Sequence, residues 1–109
     1  MGRAVVMEKG DLVIAYVYFV GESTGKRRPF VYFYEDENYI YGLRITTKIE
    51  EHKHEKIIII DDEDLEKYKL KKSSAIRYDY VCRAEKKDMQ EQKVRLDREL
   101  LALIDIFID

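Results

Sequence analysis

Short runs of β-branched and aromatic residues, separated by polar turns, recur along most of the chain. Side chains of these types fit a pleated, half-buried surface and predict β-strands. The clearest run is 11–20, which follows Gly10 and is apolar on both of its faces. Further strands are predicted at 30–34, 39–46, 57–60, 74–81 and 93–96.

The apolar pattern changes from Asp97 onward. Leucine, isoleucine and phenylalanine now recur at steps of three and four residues, up to Ile108. This spacing predicts an amphipathic helix that is capped by Asp97 and packs one face on the sheet. Short strands followed by one helix predict a mainly β fold with a C-terminal helix, built as a small, strongly bent antiparallel barrel. Since there is no repeat and no linker, residues 1–109 are predicted to form a single domain.

The polar segments between the strands differ in character. Residues 21–28 are predicted to form a loop, and Pro29 is predicted to begin the next strand, where its missing N–H costs least. The acidic segment 61–68 predicts one or two helical turns. His52 and His54 share a face if their segment is extended, but the lysines and glutamates around them favour a charged loop over a metal site. No metal or other cofactor is predicted.

Charge and cysteine content narrow the function classes. Twenty Lys and Arg against 22 Asp and Glu give a net charge of −2, which argues against a generally sticky nucleic-acid binder. A local basic site stays possible, because Lys26-Arg27-Arg28 is wholly basic and Asp61-Asp62-Glu63-Asp64 wholly acidic. Cys82 is the only cysteine, and no apolar run approaches the roughly 20 residues that cross a bilayer. A cytoplasmic protein without membrane contact is therefore expected.

Five segments are common individually but specific in their joint order and spacing. They are Gly10-Asp11-Leu12-Val13, the glycine-bounded loop ending in Arg28-Pro29, Arg44-Ile45-Thr46-Thr47, Ser74-Ala75-Ile76-Arg77-Tyr78-Asp79 with the later Arg83, and Leu96-Asp97-x-Glu99-Leu100. In this order they resemble the MazF/PemK (Kid) toxins of bacterial toxin–antitoxin modules, from residue 10 to about residue 105. The resemblance implies an SH3-like barrel, a homodimer, metal-independent cleavage of single-stranded RNA, and inhibition by a cognate antitoxin.

The chemistry of RNA cleavage suits the residues that carry the resemblance. RNA supplies its own nucleophile, the 2′-hydroxyl, so an enzyme must position it, move protons and stabilise charge on phosphorus. Arg28 is expected to stabilise that charge, and Thr46 to hold a phosphate oxygen. Arg77 and Asp79 lie two positions apart and share a strand face. Asp79 is expected to accept the 2′-proton, while Arg77 holds the phosphate or protonates the leaving group. Three further cations are expected to contact the RNA backbone, namely Lys26, Arg27 and Arg83.

Less specific interpretations stay open. Arg77 and Asp79 are equally explained as a same-face ion pair. Nine tyrosines could stack on unpaired bases, but Tyr16, Tyr18, Tyr32 and Tyr34 alternate within strands and are predicted to form the barrel wall.

Two other functions are compatible with this fold. One is a gyrase poison resembling CcdB; those proteins end in Trp-Gly-Ile, whereas this chain has no Trp and ends in Ile106-Phe107-Ile108-Asp109. The other is a catalytically silent SH3-like binding module, in which Glu22 has displaced the usual loop chemistry. In the leading hypothesis, the loop 21–28 lies beside the second subunit and forms a groove for which RNA and antitoxin compete.

Overall fold

The fold is mainly antiparallel β with a C-terminal helix. A computed structural model of the chain describes residues 7–18, 25–54, 56–79 and 81–108. Within these residues the strands are β1 (Asp11–Tyr18), β2 (Gly25–Glu35), β3 (Tyr39–Thr46), β4 (Ile57–Ile59), β5 (Ala75–Arg77), β6 (Cys82–Glu85) and β7 (Gln90–Arg95), and the helices are α1 (Ile49–His52) and α2 (Arg98–Ile108).

The strands bend back on themselves. β1 pairs with β2 along one edge and with β7 and β6 along the other, while β3 pairs with both β2 and β6. β1, β2, β3 and β6 therefore pair in a ring, whose closure between β1 and β6 rests on one position, Val17 opposite Ala84. β5 and β4 continue the sheet outward from the far half of β3.

Each face of the bent sheet packs a hydrophobic cluster of its own. The inner cluster lies inside the ring and consists of Val13, Ala15, Val17, Phe30, Tyr32, Ile40 and Ala84. The outer cluster lies between the sheet and α2 and consists of Leu12, Val31, Leu43, Ile45, Ile58, Ile60, Tyr68, Ile76, Leu96 and Ile104. Alternate residues of a strand point to opposite faces, so neighbours such as Leu12 and Val13 serve different clusters.

Two glycines permit the tight geometry of the ring. A Cβ built on Gly42 would lie 1.8 Å from the carbonyl oxygen of Val31, so β2 and β3 approach there as only glycine allows. The register between these two strands also shifts just beyond this point, between Tyr32 and Tyr34. Gly10 has φ +99° at the entry to β1, a conformation that L side chains rarely adopt.

Several predicted elements are confirmed. β3 has the predicted bounds, and β1 covers the described part of 11–20. Helix α2 begins one residue after Asp97 and buries Ile104, while Leu100 and Ile108 pack against the outer cluster. The carboxylate of Asp97 binds Lys67 Nζ at 2.5 Å, and its backbone oxygen accepts a hydrogen bond from Leu101 N.

The start of β2 was predicted wrongly. β2 begins at Gly25, so Lys26, Arg27 and Arg28 lie in a strand and not in a loop. Pro29 sits inside the strand opposite Ile14, whereas the pairing of β2 with β3 begins only at Phe30. A proline is tolerated here because β2 is not yet paired with β3 at position 29. On that side of the strand, the missing N–H therefore leaves no hydrogen bond unmade. The rest of the predicted loop, 21–24 with Glu22, lies outside the described residues.

Other boundaries also differ from the predictions. Of the predicted strand 74–81 only β5, Ala75–Arg77, is a strand, and β6 follows as a separate strand from Cys82; the two pair with different parts of β3. The last strand, β7, is longer than 93–96 and lies earlier, and the predicted charged loop begins as the short helix α1. The acidic segment forms a single 3₁₀ turn, Asp62–Asp64, followed by turns up to Lys69. Among the described helices, none is long and apolar enough to span a membrane.

Candidate functional site

Three arginines on neighbouring strands share one face of the sheet. Arg28 lies opposite Ala15 on the inner face, the face of Phe30. Arg44 lies opposite Phe30 and so shares that face. Directly paired residues of antiparallel strands project to the same side. We call Arg28, Arg44 and Arg77 the arginine face.

Arg77 joins this face through β5. Thr46 is paired with Ala75, and Arg77 lies two positions beyond Ala75, so all three project to the same side. β2 and β5 both flank β3, and adjacent strands are about 4.8 Å apart, so the arginine face spans about 10 Å across the sheet. Arg28, Arg44, Thr46 and Arg77 are all partly buried. They lie at the end of the inner face where the packed apolar side chains give way to polar ones.

Arg77 and Asp79 form a close ion pair. Arg77 Nη2 donates to Asp79 Oδ2 at 2.6 Å, and the two side chains are only 12% and 23% exposed. The second carboxylate oxygen, Oδ1, is buried and accepts no hydrogen bond from the residues that the structure describes. One oxygen of Asp79 is thus held by the guanidinium, and the other has unused acceptor capacity.

Thr46 already has a structural role at the end of β3. Its hydroxyl oxygen accepts a hydrogen bond from the backbone N–H of Lys48 at 3.0 Å. This bond closes the turn after the strand and fixes the side chain. Because the oxygen accepts in this bond, the hydroxyl proton stays available for donation to a ligand.

The three residues predicted to contact RNA do not lie together. Lys26 is exposed and lies opposite Val17, on the same face as Arg28. Arg27 projects to the opposite face, and its Nη2 approaches Gln90 Oε1 at 3.4 Å. Arg83 lies opposite Tyr41 on the outer surface, and its guanidinium stacks over the Tyr39 ring at 4.3 Å. Only Lys26 therefore extends the arginine face.

Arg44 was not among the predicted site residues. Its signal was in the sequence, because Arg44 and Thr46 are two apart on a predicted strand and must share a face. What the sequence could not supply was the pairing of Arg44 with Phe30, which places it on the same side as Arg28.

Asp11, a residue of the opening Gly-Asp segment, is structural. It is 8% exposed, its Oδ1 accepts from Arg95 Nε at 2.6 Å, and its Oδ2 accepts from the backbone N–H of Glu8 at 2.8 Å. These bonds fix the start of β1 against β7, on the opposite edge of β1 from β2. Asp11 thus orients β1 and takes no part in the arginine face.

Neither metal ligation nor comparison with known proteins assigns a further role to these residues. Within the described ranges, no group of three or more His, Cys, Asp or Glu side chains is placed to hold a metal ion. No protein-family model matches the chain, and no curated protein matches it.

Proposed function

We propose that this chain is a metal-independent endoribonuclease of the MazF/PemK type, the toxin of a toxin–antitoxin pair. In this proposal the bent sheet is an SH3-like barrel, the protein works as a homodimer in the cytoplasm, and a cognate antitoxin blocks the RNA groove. The substrate is single-stranded RNA, which the enzyme cuts by attack of a 2′-hydroxyl on the adjacent phosphate.

The observation that carries the proposal is the shared face of Arg28, Arg44 and Arg77 beside Thr46. One guanidinium group can bind two phosphate oxygens at once, and it keeps its charge at any physiological pH. Partial burial strengthens their attraction for an anion relative to fully solvated side chains. Three such groups, on strands that lie within about 10 Å across the sheet and not on loops, favour a phosphodiester as the ligand.

Asp79 and Thr46 supply the remaining chemistry. The Asp79 carboxylate, oriented by Arg77, accepts the proton of the 2′-hydroxyl as the 2′-oxygen bonds to phosphorus. Arg28 stabilises the pentacoordinate phosphorus, with the Thr46 hydroxyl donating to one of its oxygens. The bond from phosphorus to the 5′-oxygen then breaks, and that oxygen takes up a proton from Arg77 or from water. The products are a 2′,3′-cyclic phosphate and a 5′-hydroxyl.

The test is cleavage of a long single-stranded RNA by purified protein in excess EDTA, with mapping of the new ends. We expect discrete cuts, and a loss of about 100- to 1,000-fold in rate for Arg28→Ala, the usual effect of removing one group that stabilises transition-state charge. Arg98→Ala is the matched control, because Arg98 is an exposed arginine on α2. This control should cleave at the wild-type rate.

Each alternative function predicts a different result. Intact RNA together with inhibition of gyrase would replace the proposal with a CcdB-like poison. Intact RNA without any effect on gyrase would leave a silent binding module. Cleavage that persists in Arg28→Ala would also contradict the proposal, since it would place the activity elsewhere or in a contaminant.

A further inference from the structure

A row of planar side chains crosses three strands on the outer surface. Tyr34 of β2 lies opposite Tyr41 of β3, and Tyr41 lies opposite Arg83 of β6. The two tyrosine rings are stacked, with centroids 4.9 Å apart and an angle of 16° between their planes. The Arg83 guanidinium stacks on the ring of Tyr39, which lies two residues before Tyr41 on β3. We call Tyr34, Tyr39, Tyr41 and Arg83 the tyrosine platform.

Tyr34 and Arg83 are the exposed members of the platform, whereas Tyr39 and Tyr41 are half-buried; the exposure of Tyr34 is contrary to the prediction that it belongs to the barrel wall. Tyr34 is 56% exposed, because the register shift between Tyr32 and Tyr34 turns its side chain to the outer face. Tyr32, before the shift, is buried in the inner cluster. A large aromatic ring that stays so exposed while stacked on one side has ring surface available for another planar group.

The platform is also held in place before any ligand arrives. The Tyr41 hydroxyl donates to Asp36 Oδ2 at 2.7 Å. Asp36 Oδ1 accepts from the backbone N–H groups of Asn38 and Tyr39 at 2.9 and 2.8 Å. The carboxylate therefore ties the ring of Tyr41 to the turn between β2 and β3. Rigid aromatic groups lose little conformational entropy on binding.

The charges around the platform favour a base over a run of phosphates. Lys86 pairs with Glu35, Lys87 Nζ lies 3.6 Å from Glu85, and Asp36 and Glu37 add negative charge at the turn. These carboxylates offset the local lysines and weaken attraction for a polyanion. Arg83 contributes a cation already stacked on an aromatic ring. Stacking on flat π surfaces is the chemistry that this composition supplies best.

We propose that the tyrosine platform binds an unpaired base of single-stranded RNA by stacking on Tyr34. The choice of RNA as ligand rests on the proposed function. Tyr41 and Thr46 lie five residues apart on β3 and project to opposite faces, so the platform lies away from the arginine face. It therefore holds a flanking part of the substrate and does not take part in cleavage.

The test is fluorescence anisotropy with a short, uncleavable 2′-O-methyl RNA as the probe. Tyr34→Ala should weaken binding roughly 10- to 100-fold, the range expected for loss of one base–aromatic stack. Tyr34→Phe keeps the ring and should bind as the wild type does, whereas Tyr34→Leu keeps apolar area but no π face and should bind as weakly as Tyr34→Ala. Ile106→Ala is the control, because Ile106 is 71% exposed on α2.

Salt dependence separates stacking from charge. Tyr34→Ala should weaken binding equally at all salt concentrations, because loss of a base stack releases no counterions, whereas loss of a phosphate contact would also lower the slope of log affinity against log salt. Wild-type affinity in Tyr34→Ala or in Tyr34→Leu would overturn the platform. That result would leave the proposed function standing if Arg28→Ala still slows cleavage about 100- to 1,000-fold. If the wild-type protein does not cleave RNA but still binds it in a Tyr34-dependent way, the proposed function is overturned and the tyrosine platform stands.

Discussion

Single carboxylates in this chain have distinct physical roles that their neighbours determine. Asp11 accepts from Arg95 and fixes the start of β1. Asp79 is paired with Arg77 through one oxygen, and its other oxygen is buried and accepts no hydrogen bond from the described residues. The sequence placed Arg77 and Asp79 on one face by their spacing, and the ion pair was one of two interpretations left open. The ion pair is present in the structure. It is compatible with a purely structural role and with a catalytic role of Asp79, because a general base also needs to be oriented.

Asp36 yields a prediction about pH. The hydrogen bond from Tyr41, followed by those from the backbone N–H groups of Tyr39 and Asn38, lowers the pKa of Asp36 below its ordinary value of 3.8. A carboxyl with a lowered folded-state pKa stabilises the fold above its unfolded pKa and loses this contribution as pH falls through the folded value. We therefore expect the free energy of unfolding of Asp36→Asn to fall less steeply than that of the wild type below about pH 4.

Urea denaturation between pH 6 and pH 3 measures this difference. Asparagine can still accept the two backbone hydrogen bonds, so the variant should fold. Glu37→Gln is the control, because Glu37 is an exposed carboxylate of the same turn. A wild-type slope in Asp36→Asn, or an equal change in Glu37→Gln, would show that the bonds of Asp36 do not stabilise the turn.

At the scale of elements, helix α2 offers a comparison between two isoleucines that are two residues apart. Ile104 is fully buried in the outer cluster, whereas Ile106 is 71% exposed. Ile104→Ala should lower the free energy of unfolding by about 2–5 kcal/mol, through lost burial and the cavity left behind. Ile106→Ala should change it by less than about 0.5 kcal/mol. Similar losses in both variants, measured by urea denaturation, would contradict the packing of α2.

The elements show where sequence patterns suffice. The three- and four-residue spacing of apolar residues from Leu100 to Ile108 was enough to predict α2, since a helix with one apolar stripe buries it by packing that stripe on the sheet. β3 was predicted with its observed bounds from its β-branched and aromatic residues and flanking turns. The start of β2 was missed because Gly25 and three basic residues have low strand propensity, and only pairing with β1 makes that segment extended.

At the scale of the molecule, the sheet separates two surfaces. The arginine face lies at one end of the inner face, and the tyrosine platform lies on the outer face near the turn between β2 and β3. Motif order led to the prediction of Arg28, Thr46, Arg77 and Asp79 as site residues, but the register between strands decides which side chains meet. That register depends on contacts between distant residues and on the shift after Tyr32, which no local pattern reveals.

Replacing one ribose of the substrate tests the proposed attack by the 2′-hydroxyl most directly. After the cut site in a single-stranded RNA has been mapped, the nucleotide that carries the attacking 2′-hydroxyl is changed to its 2′-deoxy form. If the 2′-hydroxyl is the nucleophile, the protein in EDTA leaves this site uncut while it cleaves the all-ribose RNA to a 2′,3′-cyclic phosphate and a 5′-hydroxyl. Cleavage of the 2′-deoxy site at the same rate would contradict attack by the 2′-hydroxyl.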